Sequence, residues 1–228
     1  MTTENAPHPS RPGLFVALDG PDGGGKTTQA ETLARSFRAQ GREVVTCRDP
    51  GGTDLGDRLR ATLLGRDGPD RGLRAEMLLY MASRAQLVDT VIRPAIEAGR
   101  VVVTDRFLLS NLVYQGFAGG LGVEPVGRVG LVATGGILPD LTVVLDVPLS
   151  VGKGRTGPAR DRIEDRPDDY HERVRSGFLK AAEDACGPGG CSYYPARVVL
   201  VDASGDRDAV AERIRKEVTD ALALDPRS

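Results

Sequence analysis

The chain has 228 residues, 27% of them charged and 40% hydrophobic, with a formal net charge of −2. That length suits one sizeable α/β core and is short for two independent domains. The charge excludes a general attraction to nucleic acid or to an anionic membrane surface, and no apolar run approaches the roughly 20 residues that a membrane helix needs.

Residues 1–12, Met1 to Pro12, are polar and proline-containing with no apolar core. They read as a disordered tail and not as a signal peptide, so residues 13–228 are expected to form a single domain in the cytoplasm. The cysteines Cys47, Cys186 and Cys191 have no metal-ligand spacing and only two histidines to help them, and are expected to be free thiols. Cys186 and Cys191 flank Gly-Pro-Gly-Gly and could come close enough to oxidise together.

A first strand, Leu14–Asp19, runs into Gly20-Pro21-Asp22-Gly23-Gly24-Gly25-Lys26-Thr27, which fits the phosphate-loop pattern G-x-x-x-x-G-K-[ST]. The glycines let successive backbone N–H groups turn onto phosphate oxygens. Lys26 brings a point charge to the β and γ phosphates, and the Thr27 hydroxyl is suited to Mg²⁺. A helix over Lys26–Gln40, continuing through Thr28, points its positive dipole end at the same place. These features point to a nucleoside triphosphate.

A second strand, Glu43–Arg48, leads to helices at Asp54–Leu64 and Leu73–Ala98, with Gly41, Gly65 and Gly99 as helix stops. A third strand, Val101–Asp105, ends in Asp105-Arg106. That acid could hold Mg²⁺ through water and that arginine could grip an acceptor phosphate. The dipeptide alone fits an ion pair capping a strand end equally well. Helices follow at Ser110–Gln115 and Val123–Thr134, then a strand at Leu141–Asp146. Residues 152–169, Gly152 to Asp169, are crowded with charge, glycine and proline, and read as a mobile loop suited to a lid. A helix at Tyr170–Cys186, a surface loop through Pro195, a strand at Val198–Asp202 and a helix at Asp206–Leu224 complete the chain. The alternation predicts an α/β fold of the P-loop NTPase type, a parallel five-stranded sheet with helices on both faces. Its ligands should bind at the carboxyl ends of the strands.

Asp105-Arg106-Phe107-Leu108-Leu109-Ser110-Asn111-Leu112-Val113-Tyr114-Gln115-Gly116 resembles the D-R-[YFH]-x-x-S-x-x-A-Y-Q-G segment of thymidylate kinases. Cys47-Arg48-Asp49-Pro50-Gly51-Gly52-Thr53 is similar to that family's T-R-E-P-G-G-T turn, and Ala75 to Arg84 to its A-E-x-L-L-x-x-A-x-R helix. Asp161-Arg162-Ile163-Glu164 matches its D-R-x-E lid motif, and Val201-Asp202-Ala203 its final strand. These motifs are collinear over nearly the whole chain.

The resemblance implies transfer of the ATP γ-phosphoryl group to dTMP. It implies that Gly20, Pro21, Asp22, Gly23, Gly24, Gly25, Lys26, Thr27 and Thr28 hold ATP and that Thr27 and Asp105 serve Mg²⁺. Arg48, Arg60 and Arg106 would surround the acceptor phosphate, and Asp49 would join the acceptor site. Tyr80 would stack on thymine, Arg84 would donate to its O4 face, and Asn111 and Gln115 would line the base and sugar pocket. Lys26, Asp22, Arg106 and the lid arginines Arg155 and Arg160 would be the catalytic set, and the family is typically homodimeric. The sequence departs from the pattern in places. Gly23 stands where one branch carries a catalytic arginine, which points to the branch with lid arginines. Gly157 stands where a lid arginine is found in relatives, leaving Arg155 or Arg160 to substitute. Asp19 and Asp49 replace glutamates. The rival readings are another nucleoside monophosphate kinase of the same fold and a nucleotide-binding homologue without turnover.

Overall fold

Strand β1, Leu14–Asp19, is buried along its whole length. Successive side chains of a strand point to opposite faces, and here both faces meet apolar layers. Leu14, Val16 and Leu18 pack with one cluster, Phe15 and Ala17 with another. The first cluster is roofed by helices α1 (Lys26–Ala39) and α9 (Arg207–Ala223). The α1 side chains that enter it, Ala30, Leu33, Ala34 and Phe37, have the i, i+3, i+4, i+7 spacing of one helix face. The structure, a computed structural model, describes residues 13–66, 70–156, 161–185 and 194–223. The expected N-terminal tail, Gly157, Arg160, Cys186 and Cys191 lie outside them.

The other strands are β2 (Val44–Arg48), β3 (Val101–Asp105), β4 (Leu141–Asp146) and β5 (Arg197–Asp202). All pair in parallel, in the order β2-β3-β1-β4-β5. The chain moves from β1 out to β2 on one side and later returns across β1 to β4 on the other. The crevice at the carboxyl end of β1 is therefore the topological switch point at which ligands bind in open α/β sheets. Helices α2 (Asp54–Leu64), α3 (Leu73–Leu87), α4 (Arg93–Glu97), α5 (Leu108–Asn111), α6 (Val123–Thr134), α7 (Leu149–Arg155) and α8 (Asp168–Ala185) complete the described elements.

Two helices depart from regular α geometry. The helix expected over Leu73–Ala98 contains a π-helical turn at Val88–Ile92 between α3 and α4. Pro94, at the start of α4, has no N–H to offer the carbonyl four residues back, and the ladder widens just before it. The helix expected over Ser110–Gln115 is α5 followed by a longer π-helical turn, Leu112–Ala118.

The stretch 152–169, expected as one loop, carries helix at both ends. Its beginning is the end of α7, and its last two residues open α8. Between them, Asp161 Oδ1 accepts hydrogen bonds from the backbone N–H groups of Ile163 and Glu164, at 2.8 and 2.9 Å. Ile163, the one large apolar residue in the run, is only 5% exposed and anchors the turn on the core. Charge and glycine content dominate the composition, but one buried isoleucine and one Asx turn shape the backbone over residues 161–164.

Candidate active site

The turn between β1 and α1 depends on glycine. Gly20 has φ 129°, and a Cβ there would lie 2.5 Å from the Leu145 carbonyl oxygen. Gly23 has φ 78°, and its Cβ would run into the Gly152 backbone. A side chain at Gly23 is thus excluded by the middle of helix α7. Lys26 is 7% exposed and its Nζ donates to the Pro21 carbonyl at 2.7 Å. Burial, followed by the neighbouring Arg106, draws the Lys26 ammonium down to about 8 against the opposing pull of Asp22, Asp105 and Asp19.

Arg106 has φ 67°, a left-handed conformation that non-glycine residues rarely adopt. Its surroundings hold it there. Its backbone N–H donates to the Leu18 carbonyl at 2.8 Å. Its Nη1 donates to Gly20 O at 3.0 Å and Ser110 Oγ at 2.9 Å, and its Nη2 to the Asp22 carboxylate. The guanidinium also lies 5.1 Å from the Tyr114 ring centre, and the Tyr114 hydroxyl donates to Asp22 Oδ2 at 3.0 Å. Burial pushes the Asp22 carboxyl up, but Arg106, Lys26 and Tyr114 together hold it below its ordinary value. Asp19, fully buried at the end of β1, is pushed the other way. Burial outweighs Arg106 and the Ser110 hydroxyl, and its pKa is raised.

The second half of the cleft is set by Arg84, 1% exposed on α3. Its Nε pairs with Asp49 Oδ2 at 2.5 Å and its Nη2 donates to Asn111 Oδ1 at 2.5 Å. Asn111 Nδ2 donates to Gln115 Oε1 at 2.7 Å, and Gln115 Nε2 to Glu76 Oε1 at 2.9 Å. Asp49 is raised by burial against the pull of Arg84.

The two halves enclose one cavity of about 320 Å³. Of the residues singled out in the sequence, Asp22, Gly23, Gly25, Lys26, Thr27 and Thr28 line it, as do Asp49, Arg60, Tyr80, Arg84, Asp105, Arg106, Asn111 and Gln115. Thr27 Oγ1 donates to Asp105 Oδ2, joining the two residues expected to serve a metal. Arg60 reaches the Pro50 carbonyl at 2.9 Å, and burial together with Arg48 lowers its pKa. Arg48 stands apart, half-exposed and paired with Asp57 at 3.1 Å. Arg155 is also drawn away, onto the carbonyls of Ala203 at 2.9 Å, Gly205 at 3.0 Å and Gly23 at 3.4 Å.

The sequence reading passed over Ser110, Tyr114, Glu76 and Ile163. Ser110 lies in α5 and Tyr114 in the π-helical turn after it, while Arg106 precedes both in a left-handed conformation, so no regular helical spacing links the three. All four lie within the motifs given above, where nothing in the residue type alone marks a role.

A family model described as thymidylate kinase matches residues 18–188. The chain belongs to the thymidylate kinase family. It is 44% identical over 209 residues to a thymidylate kinase of Leifsonia xyli subsp. xyli, covering 90% of this chain and 94% of the relative. A thymidylate kinase of Rhodopirellula baltica is 42% identical over 214 residues, covering 93% of this chain and 83% of that one. Among solved structures, a thymidylate kinase from Ehrlichia chaffeensis has the same fold, with a TM-score of 0.71 and 24% identity over 91% of this chain and 99% of the other. The five-stranded parallel sheet is accordingly that of this family.

Proposed function

We propose that the protein transfers the γ-phosphoryl group of ATP to dTMP, giving dTDP and ADP. The observation that carries this reading is the junction of two sites in one cleft. A phosphate loop closes one end, and the Arg84–Asn111–Gln115 row, with Tyr80 beside it, forms a polar and aromatic pocket at the other. A base bound there brings its 5′-phosphate towards the phosphate loop.

In the transfer, an ionised oxygen of the acceptor phosphate forms a bond to the γ phosphorus while the bond to the β–γ bridging oxygen breaks, and the electron pair leaves with ADP. No side-chain nucleophile is needed, so the protein's work is positioning and charge neutralisation. Lys26 and the inward N–H groups of the loop offset charge on the ATP phosphates. Arg106, pinned by Asp22, Ser110 and Gly20, offers a guanidinium already in place, which costs no reorganisation during transfer. Asp22, held ionised by Arg106 and Lys26, keeps that arginine oriented.

The Thr27 hydroxyl and the Asp105 carboxylate are hard oxygen donors on the same wall of the cleft, and fit Mg²⁺. Among the described residues no group of three or more His, Cys, Asp or Glu side chains could hold an ion alone. The remaining ligands would be phosphate oxygens and water, as this small cation prefers. Bound Mg²⁺ would neutralise phosphate charge.

The reading extends to a single nucleoside monophosphate kinase domain over residues 13–228, acting in the cytoplasm as a homodimer. Leu78 on α3 and Val132 on α6 are 53% and 82% exposed, apolar side chains available to a subunit contact. No helix among the described residues is long and apolar enough to cross a membrane. The test is a coupled ADP-release assay with ATP, Mg²⁺ and each natural nucleoside monophosphate in turn. Turnover is expected to be strongest with dTMP; nucleotide binding without acceptor-dependent ADP release would overturn the reading.

A further inference from the structure

The polar row in the cleft does not end at Gln115. Gln115 Nε2 donates to Glu76 Oε1, and Arg166 Nη2 donates to both Glu76 oxygens, at 2.9 and 2.7 Å. The two ends of the row decide its internal polarity. A guanidinium only donates and a carboxylate only accepts. Arg84 therefore requires the oxygen of Asn111 to face it, and Glu76 requires the nitrogen of Gln115. The central Asn111 to Gln115 hydrogen bond satisfies both conditions at once.

Glu76 is 5% exposed in its side chain, and a buried carboxylate needs a compensating partner. Arg166 fills that role from the turn that closes the lid segment. The arginine is held in its own right, with its guanidinium 4.6 Å from the Tyr170 ring centre and its Nη1 donating to the Tyr170 hydroxyl at 2.6 Å. That hydroxyl in turn donates to the Tyr114 carbonyl at 2.8 Å. One buried carboxylate thus joins α3, the π-helical turn that carries Gln115, and the end of the lid.

We propose that Glu76 and Arg166 are positioning residues for acceptor recognition. Their ion pair fixes the orientation of the amides presented to the pyrimidine and ties the lid turn to that pocket. The inference rests on the reading of the cleft as a pyrimidine monophosphate site. A 4-oxo base such as thymine and a 4-amino base such as cytosine present opposite hydrogen-bonding patterns, so a fixed amide polarity favours one over the other.

The test compares wild type with Arg166→Met and Arg166→Lys, using dTMP and dCMP as acceptors at saturating ATP. Arg166→Met is expected to raise KM for dTMP on the order of tenfold, the scale of one lost hydrogen-bonded contact. It should lower the dTMP-over-dCMP ratio of kcat/KM by a similar factor, with kcat and KM for ATP within about twofold of wild type. Arg166→Lys keeps the charge without the planar fork, and should recover most of the ratio. An unchanged ratio in both variants, or an equal loss for ATP and for both acceptors, overturns the proposal. If Arg166→Met does not fold, Arg166→Gln, which removes the charge but keeps a hydrogen-bond donor, takes its place: a lowered ratio is expected, and an unchanged one overturns the proposal. A wild type that prefers dTMP while neither variant alters the ratio sinks this proposal alone; a wild type without dTMP-dependent ADP release sinks it together with the reading beneath it.

Discussion

The Nε of Arg84 lies 2.5 Å from Asp49 Oδ2, and the two side chains are 1% and 0% exposed. An ion pair out of water gains its Coulomb energy against a large desolvation cost, so the intact pair is weak evidence of stability, whereas loss of one member is strongly destabilising. Asp49 also leaves its other oxygen without a hydrogen-bond partner among the described residues. Asp49→Ala is expected to cost about 3–5 kcal/mol, because it leaves the Arg84 charge buried and uncompensated. Urea unfolding checks this, and a cost below about 1 kcal/mol would show that Arg84 finds another partner.

Lys26 supplies a pH dependence of defined sign. Its value is about 8 in the folded protein against 10.5 for the unperturbed side chain. The unfolded chain therefore holds a proton that the folded chain has lost in the window between these values. Stability of the nucleotide-free protein should accordingly rise with pH across that window, and burial of the ammonium should be a cost below it. Bound polyphosphate reverses the local balance by favouring the charged form. ATP binding at pH 8 is then expected to take up roughly half a proton, and at pH 6 almost none. Calorimetry in buffers of different ionisation enthalpy reads the number directly. Equal uptake at both pH values would remove Lys26 as its source.

How far the sequence revealed these arrangements differs from residue to residue. The sheet was legible because β1, β3 and β4 are apolar runs buried on both faces, a pattern that leaves little choice of element. The phosphate loop was legible because its glycines have geometric duties, as Gly20 and Gly23 illustrate. The lid turn was not. Its composition is that of a loop, and the decisive contributions come from single residues, Ile163 in the core and Asp161 closing an Asx turn. Arg166 and Glu76 were invisible for a related reason. They are 90 residues apart, and no local pattern reports an ion pair between distant segments. Nor could the π-helical turn at Leu112–Ala118 be read from spacing, since it alters by one residue which side chains share a face.

Arg155 is likewise tied to segments distant in the sequence. It is one of five basic residues in the stretch 152–169, and the family resemblance makes it a candidate source of charge for the transferred group. In the structure its guanidinium instead bridges the phosphate loop, through Gly23 O, to the turn after β5, through the carbonyls of Ala203 and Gly205. Freeing the side chain would give up these three hydrogen bonds. Its effect on catalysis should therefore come through the walls of the ATP site and not through the transferring phosphoryl group. Arg155→Lys loses the planar fork that spans several acceptors while keeping the charge. It is expected to raise KM for ATP by about tenfold, the scale of one lost charge-assisted hydrogen bond. The dTMP KM should stay unchanged and kcat should fall no more than about threefold. Steady-state kinetics with each substrate varied in turn separates the cases. A loss of kcat on the order of a hundredfold with an unaltered ATP KM would mean that Arg155 leaves its carbonyls during turnover and neutralises the transition state itself.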